Sequence, residues 1–113
     1  MCIFCDIAKR IIPAEIIYEN EHVFCIRDMK PVAPVHALII SKNHYEDILA
    51  LAESPESAVV MAAVTKAVSD MTKQLDLAEG FRLINNCREN GGQTVMHLHF
   101  HIIGQTKLTP DII

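Results

Sequence analysis

Apolar and polar positions recur along this chain with two different periods, and the switches between them lay out the elements. Glu15-Ile16-Ile17-Tyr18-Glu19 and His22-Val23-Phe24-Cys25-Ile26-Arg27 are short runs rich in β-branched and aromatic residues, separated by Asn20-Glu21. They predict two strands joined as a hairpin. Ala37-Leu38-Ile39-Ile40 is a continuous apolar run and predicts a central strand buried on both faces. Beyond Ser54 the period becomes helical. Val60, Val64, Ala67, Val68, Met71 and Leu75 fall on one stripe, with Ser54 placed to cap it and Pro55 in its first turn. After Gly80, Phe81-Arg82-Leu83-Ile84-Asn85 returns to a strand pattern.

Shorter elements fill the gaps. Cys2 to Arg10 predicts a short helix that stops before Pro13, and Lys30 to Pro34, with two prolines, predicts a loop. Asn43-x-x-Glu46 has the form of a capping box and predicts a short helix through Ile48, Leu49 and Leu51. Asn90-Gly91-Gly92 signals a turn. The order β-β-β-α-β-β with short connections predicts an α+β fold on an antiparallel sheet. A length of 113 residues suits one domain spanning residues 1–113.

The last run is the unusual one. Met96-His97-Leu98-His99-Phe100-His101-Ile102-Ile103-Gly104 alternates strictly, and it holds three of the six histidines. As a strand it puts Leu98, Phe100 and Ile102 toward a core and His97, His99 and His101 on the opposite face, neighbours about 6.5–7 Å apart. Imidazole can act there as nucleophile, acid or phosphate donor. A His-rich solvent face and a plain metal site are the competing readings. Gly91-Gly92-Gln93-Thr94, just upstream, adds two glycines that let backbone approach a ligand and two side chains that can donate hydrogen bonds.

Composition narrows the partners. Half the residues are hydrophobic and 21% are charged, an ordinary globular balance. The formal charge is -4 with no Lys/Arg cluster, which argues against an extended nucleic-acid surface or an anionic membrane partner. The N-terminus lacks a basic stretch followed by a long apolar run, and no apolar stretch reaches the ~20 residues of a membrane span. We expect a soluble cytoplasmic protein whose four cysteines stay reduced.

His97-Leu98-His99-Phe100-His101-Ile102-Ile103 resembles the signature of the histidine triad family, His-φ-His-φ-His-φ-φ with φ apolar. The resemblance extends through Cys2-Ile3-Phe4-Cys5, Ile12-Pro13-Ala14, Ala33-Pro34-Val35-His36 and Gly92-Gln93-Thr94. It points to the branch of small histidine triad nucleotide-binding proteins, the purine nucleoside phosphoramidases. A related uridylyltransferase branch has Gln where this chain has His101. The resemblance implies a five-stranded antiparallel sheet with one long and one or two short helices. It also implies a homodimer in which two such sheets join into ten strands.

The same resemblance implies roles. His99 would be the nucleophile that carries a nucleotide, His101 would serve the α-phosphate and leaving group, and His97 would support His99, partly through its main-chain carbonyl. His36 would be a further active-site histidine. Asp28 would hold the ribose hydroxyls, with Asn86, Gly92, Gln93 and Thr94 around the phosphate. Ile3, Phe4, Ile7, Phe24, Met29 and Ile39 would surround the base. The ligand would be a purine nucleoside monophosphate or its phosphoramidate, and no organic cofactor is implied. At its end the chain departs from the family: Gln105-Thr106-Lys107 replaces a second Gly and an Arg, and no Trp is present.

Cys2 and Cys5 form a C-x-x-C that can give two thiolates to a structural zinc, with His44 and His97 as the remaining ligands. Some bacterial members that resemble this chain carry the same set. Two small apolar side chains on one face of a short helix are the alternative. Two other functions stay open from the residues alone: a hydrolase whose H-x-H-x-H binds catalytic zinc, and a non-catalytic nucleotide sensor or adaptor. Cys25 and Cys87 are expected to be buried and inert.

Overall fold

The computed structural model describes residues 2–111. Five strands and three helices appear in the order α1 (Ile3–Ala8), β1 (Ile16–Glu19), β2 (Val23–Arg27), β3 (Val35–Ser41), α2 (Ile48–Ala52), α3 (Ser57–Gln74), β4 (Phe81–Ile84) and β5 (His99–Gly104). A 3-10 turn, Glu89–Gly91, precedes β5. The strands form one antiparallel sheet in the order β1-β2-β3-β5-β4. This is the α+β architecture that the patterning predicts.

Register decides which side chains share a face. Ile40 pairs with His99 and Leu38 with His101, while Ile39 pairs with Phe100 and Ala37 with Ile102. Directly opposed residues point the same way. One face therefore carries Val23, Cys25, Val35, Ala37, Ile39, Phe100 and Ile102, covered by Val60, Val64, Ala67 and Met71 of α3. Fully burying each large apolar side chain there stabilises the fold by about 1.5–3 kcal/mol. The other face carries Phe24, Leu38 and Ile40 under Phe4 and Ile7 of α1, and it also holds the histidines.

Several local expectations shift. β5 begins at His99 rather than Met96, because His97 N–H folds back to the Val95 carbonyl at 2.8 Å and Leu98 N–H goes to the Tyr45 carbonyl at 2.7 Å. β3 is longer than Ala37–Ile40 and is buried throughout. Neither Asn43 nor Glu46 caps α2. Asp47 does, its Oδ1 accepting the Ala50 N–H at 2.8 Å. Ser54 stands one turn ahead of α3, where its hydroxyl accepts the Glu56 N–H at 3.1 Å, and Glu56 occupies the cap position. Side-chain oxygens compete for the same few unpaired N–H groups, and only geometry picks the winner. Among the described residues no helix is long and apolar enough to cross a membrane.

Candidate active site and metal cluster

His99 opens β5, and its ring is buried beneath the edge of Phe4, centroids 5.2 Å apart. Its Nδ1 lies 2.7 Å from the His97 carbonyl oxygen. A carbonyl only accepts, so Nδ1 carries the proton and Nε2 keeps its lone pair. Nε2 is the nitrogen free to act as a nucleophile.

His101 receives the opposite treatment. The Val32 N–H, which can only donate, points at His36 Nδ1 at 3.1 Å. A neutral His36 then carries its proton on Nε2, which lies 2.8 Å from His101 Nδ1. His101 accepts there, so its own proton sits on Nε2. Asp28 Oδ2 stands 3.5 Å from the same His36 nitrogen, and Asp28 Oδ1 accepts the Lys30 N–H at 2.8 Å. Adjacent imidazoles, with centroids 5.3 Å apart, thus present an Nε2 lone pair on His99 and an Nε2–H on His101. Burial, then the nearby His99 and His36, holds the His101 pKa below its ordinary value, with Asp28 opposing. The ring is kept neutral.

His97 is the most enclosed of the three, with no exposed surface. Its Nε2 lies 2.7 Å from the Ser41 carbonyl and donates to it, leaving a lone pair on Nδ1. That nitrogen lies 3.2 Å from Cys2 Sγ, 3.5 Å from Cys5 Sγ and 3.2 Å from His44 Nδ1, and Cys5 Sγ is 3.3 Å from His44 Nδ1. A tetrahedral zinc with bonds of about 2.3 Å to sulfur and 2.0–2.1 Å to nitrogen needs N···S edges of roughly 3.5 Å and N···N edges of roughly 3.3 Å. The two thiols and two imidazoles fit this ion as they stand. The Ser41 carbonyl fixes the buried His97 ring so that Nδ1 faces the other three groups.

The three histidines therefore do not converge on a common ion. His97 groups with Cys2, Cys5 and His44, and His101 with His36 and Asp28, while His99 belongs to neither group. The H-x-H-x-H zinc-hydrolase alternative fails on this geometry. The second group is held by hydrogen bonds: His36 Nε2 must give up its proton to bind a metal, and the Val32 N–H blocks the compensating proton on Nδ1.

The surrounding residues divide. Phe4 and Ile7 lie by the histidine face, each only 7% exposed, whereas Ile3 is half exposed and Met29 is almost fully exposed on its loop. Ile39 does not belong to a base pocket. β3 alternation turns it to the α3 side, away from the histidines. Phe24 is sealed inside the layer beneath Phe4. Gln93 is no free donor either: its amide hydrogens go to the Glu46 and Val95 carbonyls at 2.7 and 3.0 Å, and its Oε1 accepts the Arg88 N–H at 2.7 Å. It staples the loop. Thr94 is exposed and lines a depression of about 450 Å³ with Cys2, His44, Glu46, Val95 and Met96, on the metal-cluster side. Asn86 is half-buried, and Gly92 has φ +81°, a left-handed conformation that glycine adopts without strain. The sequence patterning passes over Asn85, whose side chain donates to the His99 carbonyl at 3.0 Å. An Asn closing a strand is the signal that marks it. Cys25 is buried and its thiol is pushed up to about 12, while Cys87 is only half-buried.

An antiparallel sheet whose interior strand β5 carries alternating histidines, and a His99 ring whose Nδ1–H is held by its neighbour's carbonyl, define the class: a histidine-strand α+β protein. The HIT domain model matches residues 9–108. Protein HitA of Neisseria gonorrhoeae is 39% identical over 103 residues, covering 91% of this chain and 94% of that protein. A HIT family hydrolase from Clostridium thermocellum superposes with a TM-score of 0.90 at 42% identity, covering 99% of this chain and 96% of the other. A histidine triad nucleotide-binding protein from Candida albicans superposes with a TM-score of 0.79 at 31% identity, covering 90% and 73%. The chain belongs to the histidine triad (HIT) family.

Proposed function

We propose that this protein is a nucleotide-binding hydrolase that cleaves the P–N bond of purine nucleoside 5′-phosphoramidates, or related nucleoside monophosphate esters and anhydrides. The observation that carries the reading is the tautomer of His99, whose Nδ1–H is held at 2.7 Å by the His97 carbonyl. The names of the solved relatives, a hydrolase and a nucleotide-binding protein, agree with it.

In the first step His99 Nε2 attacks the α-phosphorus and a P–Nε2 bond forms. The P–N bond to the leaving group breaks, and the departing nitrogen, hydrogen-bonded to His101 Nε2–H, takes up a proton from solvent. The nucleotidyl imidazole is positively charged, which strengthens its Nδ1–H bond to the His97 carbonyl. Water then adds to phosphorus, the P–Nε2 bond breaks, and the water's protons pass to solvent as His99 regains its lone pair. Asp28 is available to the ribose hydroxyls through Oδ2, and the half-buried Asn86 to phosphate oxygens.

Cys2, Cys5, His44 and His97 would hold zinc in a structural role, tying α1 to the segment before β5. β4 lies at a sheet edge with Phe81 37% and Leu83 41% exposed, which supports a homodimer built along that edge. All four cysteines are unpaired, in keeping with a cytoplasmic setting.

The test is turnover of fluorogenic adenosine and guanosine phosphoramidates by the wild type and His99→Ala, with intact-mass analysis of quenched reactions. Turnover at least about 10³-fold lower in His99→Ala, together with a nucleotide adduct confined to the wild type, is the expected result. Undiminished turnover in His99→Ala overturns the mechanism, and tight monophosphate binding without turnover would instead indicate a sensor.

A further inference from the structure

The nucleophile and the metal cluster meet in one peptide plane, that between His97 and Leu98. Its carbonyl accepts the His99 Nδ1–H at 2.7 Å, and its N–H donates to the Tyr45 carbonyl at 2.7 Å. A trans peptide is planar, so these two groups point in opposite directions and fixing one aims the other. The β5 ladder begins only at His99, so sheet pairing does not hold the His97 carbonyl. The peptide is instead flanked on both sides by residues of the cluster or next to it. His97 contributes its Nδ1, and Tyr45 directly follows the other imidazole, His44.

The neighbouring loop repeats the arrangement. Gln93 Nε2 donates to the Glu46 carbonyl, so residues 44–46 run laced against residues 93–98. Cys2 caps α1, its sulfur accepting the Cys5 N–H at 3.4 Å, and Phe4 of that helix lies against both His97 and His99, with centroids 5.8 and 5.2 Å away. Without an ion, the two thiols and two imidazoles at 3.2–3.5 Å add only weak thiol–imidazole and imidazole–imidazole contacts to those bonds. With one, His97 is fixed at both ring nitrogens. The cluster is also reachable, because His44 is exposed and the depression of about 450 Å³ opens onto Cys2 and His44.

We propose that Cys2, Cys5 and His44 are positioning residues for His99: metal ligation through His97 aims the carbonyl that keeps the nucleophile in its reactive tautomer. This rests on the nucleophilic reading of His99. Metal occupancy then sets the fraction of molecules able to attack phosphorus, while the ligands never touch substrate. The expected signature is a loss in kcat with KM little changed.

The experiment begins with elemental analysis of the purified full chain, followed by removal and return of zinc. At each stage the hydrogen-bonded His99 Nδ1–H is followed by ¹H–¹⁵N NMR, and kcat and KM are measured. We expect near one equivalent of zinc. On stripping, the Nδ1–H resonance broadens or exchanges away and kcat falls about 10- to 100-fold, and zinc restores both. Should stripping unfold the chain, His44→Ala and His44→Cys replace it, since His44 is exposed and Cys returns a ligand. His44→Ala should reproduce the loss and His44→Cys with zinc should recover it. Binding of less than a tenth of an equivalent overturns the proposal, as does an unchanged Nδ1–H resonance and kcat in stripped protein or in His44→Ala. His99→Ala, run alongside, separates the two claims: turnover surviving there sinks the nucleophile itself, whereas turnover lost there but indifferent to zinc sinks only the positioning role.

Discussion

His97 and His101 flank His99 at equal spacing, yet one is sealed among two thiols and an imidazole while the other hangs on a hydrogen-bonded chain that ends at an exposed loop. Burial lowers the pKa of both rings before any other cause. Their partners differ in kind. Soft sulfur donors and a lone-pair nitrogen at the His97 end are the donor types that can hold an ion. The Val32 N–H, which cannot accept a proton, makes the His101 end a directional relay. The same residue type is thus prepared as lone-pair donor to an ion, as lone-pair nitrogen and as N–H donor, because one nitrogen of each ring is assigned by a different partner: the Ser41 carbonyl, the His97 carbonyl and the His36 side chain.

Breaking the relay end should cost most after the nucleophile itself. His36→Ala removes the donor to His101 Nδ1, frees the His101 tautomer and should lower kcat/KM about 10²-fold. His36→Gln, which can still present an N–H toward His101, should recover part of that loss. Equal activity in the Ala and Gln variants would show that the tautomer is set elsewhere. Steady-state kinetics with one phosphoramidate decides between them.

Acid should break the same end next. Because the folded pKa of His101 lies below the ordinary value near 6.5, the unfolded chain binds the extra proton first. Stability from the neutral ring is present above that ordinary value and is lost as pH falls from it through the depressed folded value. Protonation also sets an N–H on His101 against the His36 Nε2–H. His101 should therefore contribute an acid limb to kcat that lies below the ordinary imidazole range. Asp28→Asn, which removes the one group that raises the His101 pKa, should move the limb further toward acid. A limb that moves upward in that variant would refute the assignment.

The smallest effect concerns the loop behind the metal end. Arg88 has φ 64° and ψ -178°, a region that essentially only glycine enters freely, and it is pinned by Gln93 Oε1 and by Asp47 Oδ2 at 2.9 Å. The Ala50 N–H and then the Arg88 guanidinium hold the Asp47 carboxyl below its usual range. Arg88→Ala loses the ion pair and keeps the strain, whereas Arg88→Gly loses the pair and releases the strain. Thermal unfolding should separate the two variants by roughly 4 °C or more, with Gly the higher. Identical Tm values would mean the backbone there is unstrained.

Much of the framework is legible in the sequence because it rests on periodicity. The α3 stripe of Val60, Val64, Ala67 and Met71 is buried as its spacing predicts, and Ala37–Ile40 lies at the centre of the sheet. Short-range signals serve less well. Asn43 and Glu46 fit a capping box, yet Asp47 takes the cap, its other oxygen held by Arg88 from forty-one positions away. Ile39 belongs to the same apolar run as Leu38 and Ile40, and only its register against Phe100 turns it from the histidine face. Gln93 looks like a ligand donor until the Glu46 and Val95 carbonyls claim it.

By itself the sequence determined that three imidazoles alternate with apolar residues, that two thiols stand three residues apart, and that the chain folds as a sheet with one long helix. Alternation is a property of neighbouring residues, so it survives without a fold. Which nitrogen of each imidazole holds its proton was decided only by tertiary structure. The protons of His97 and His101 answer to Ser41 and His36, groups separated from them by fifty-six and sixty-five positions and brought within hydrogen-bond reach when the sheet closes. His99 alone takes its instruction from within the row, and the peptide that gives it is held by the fold.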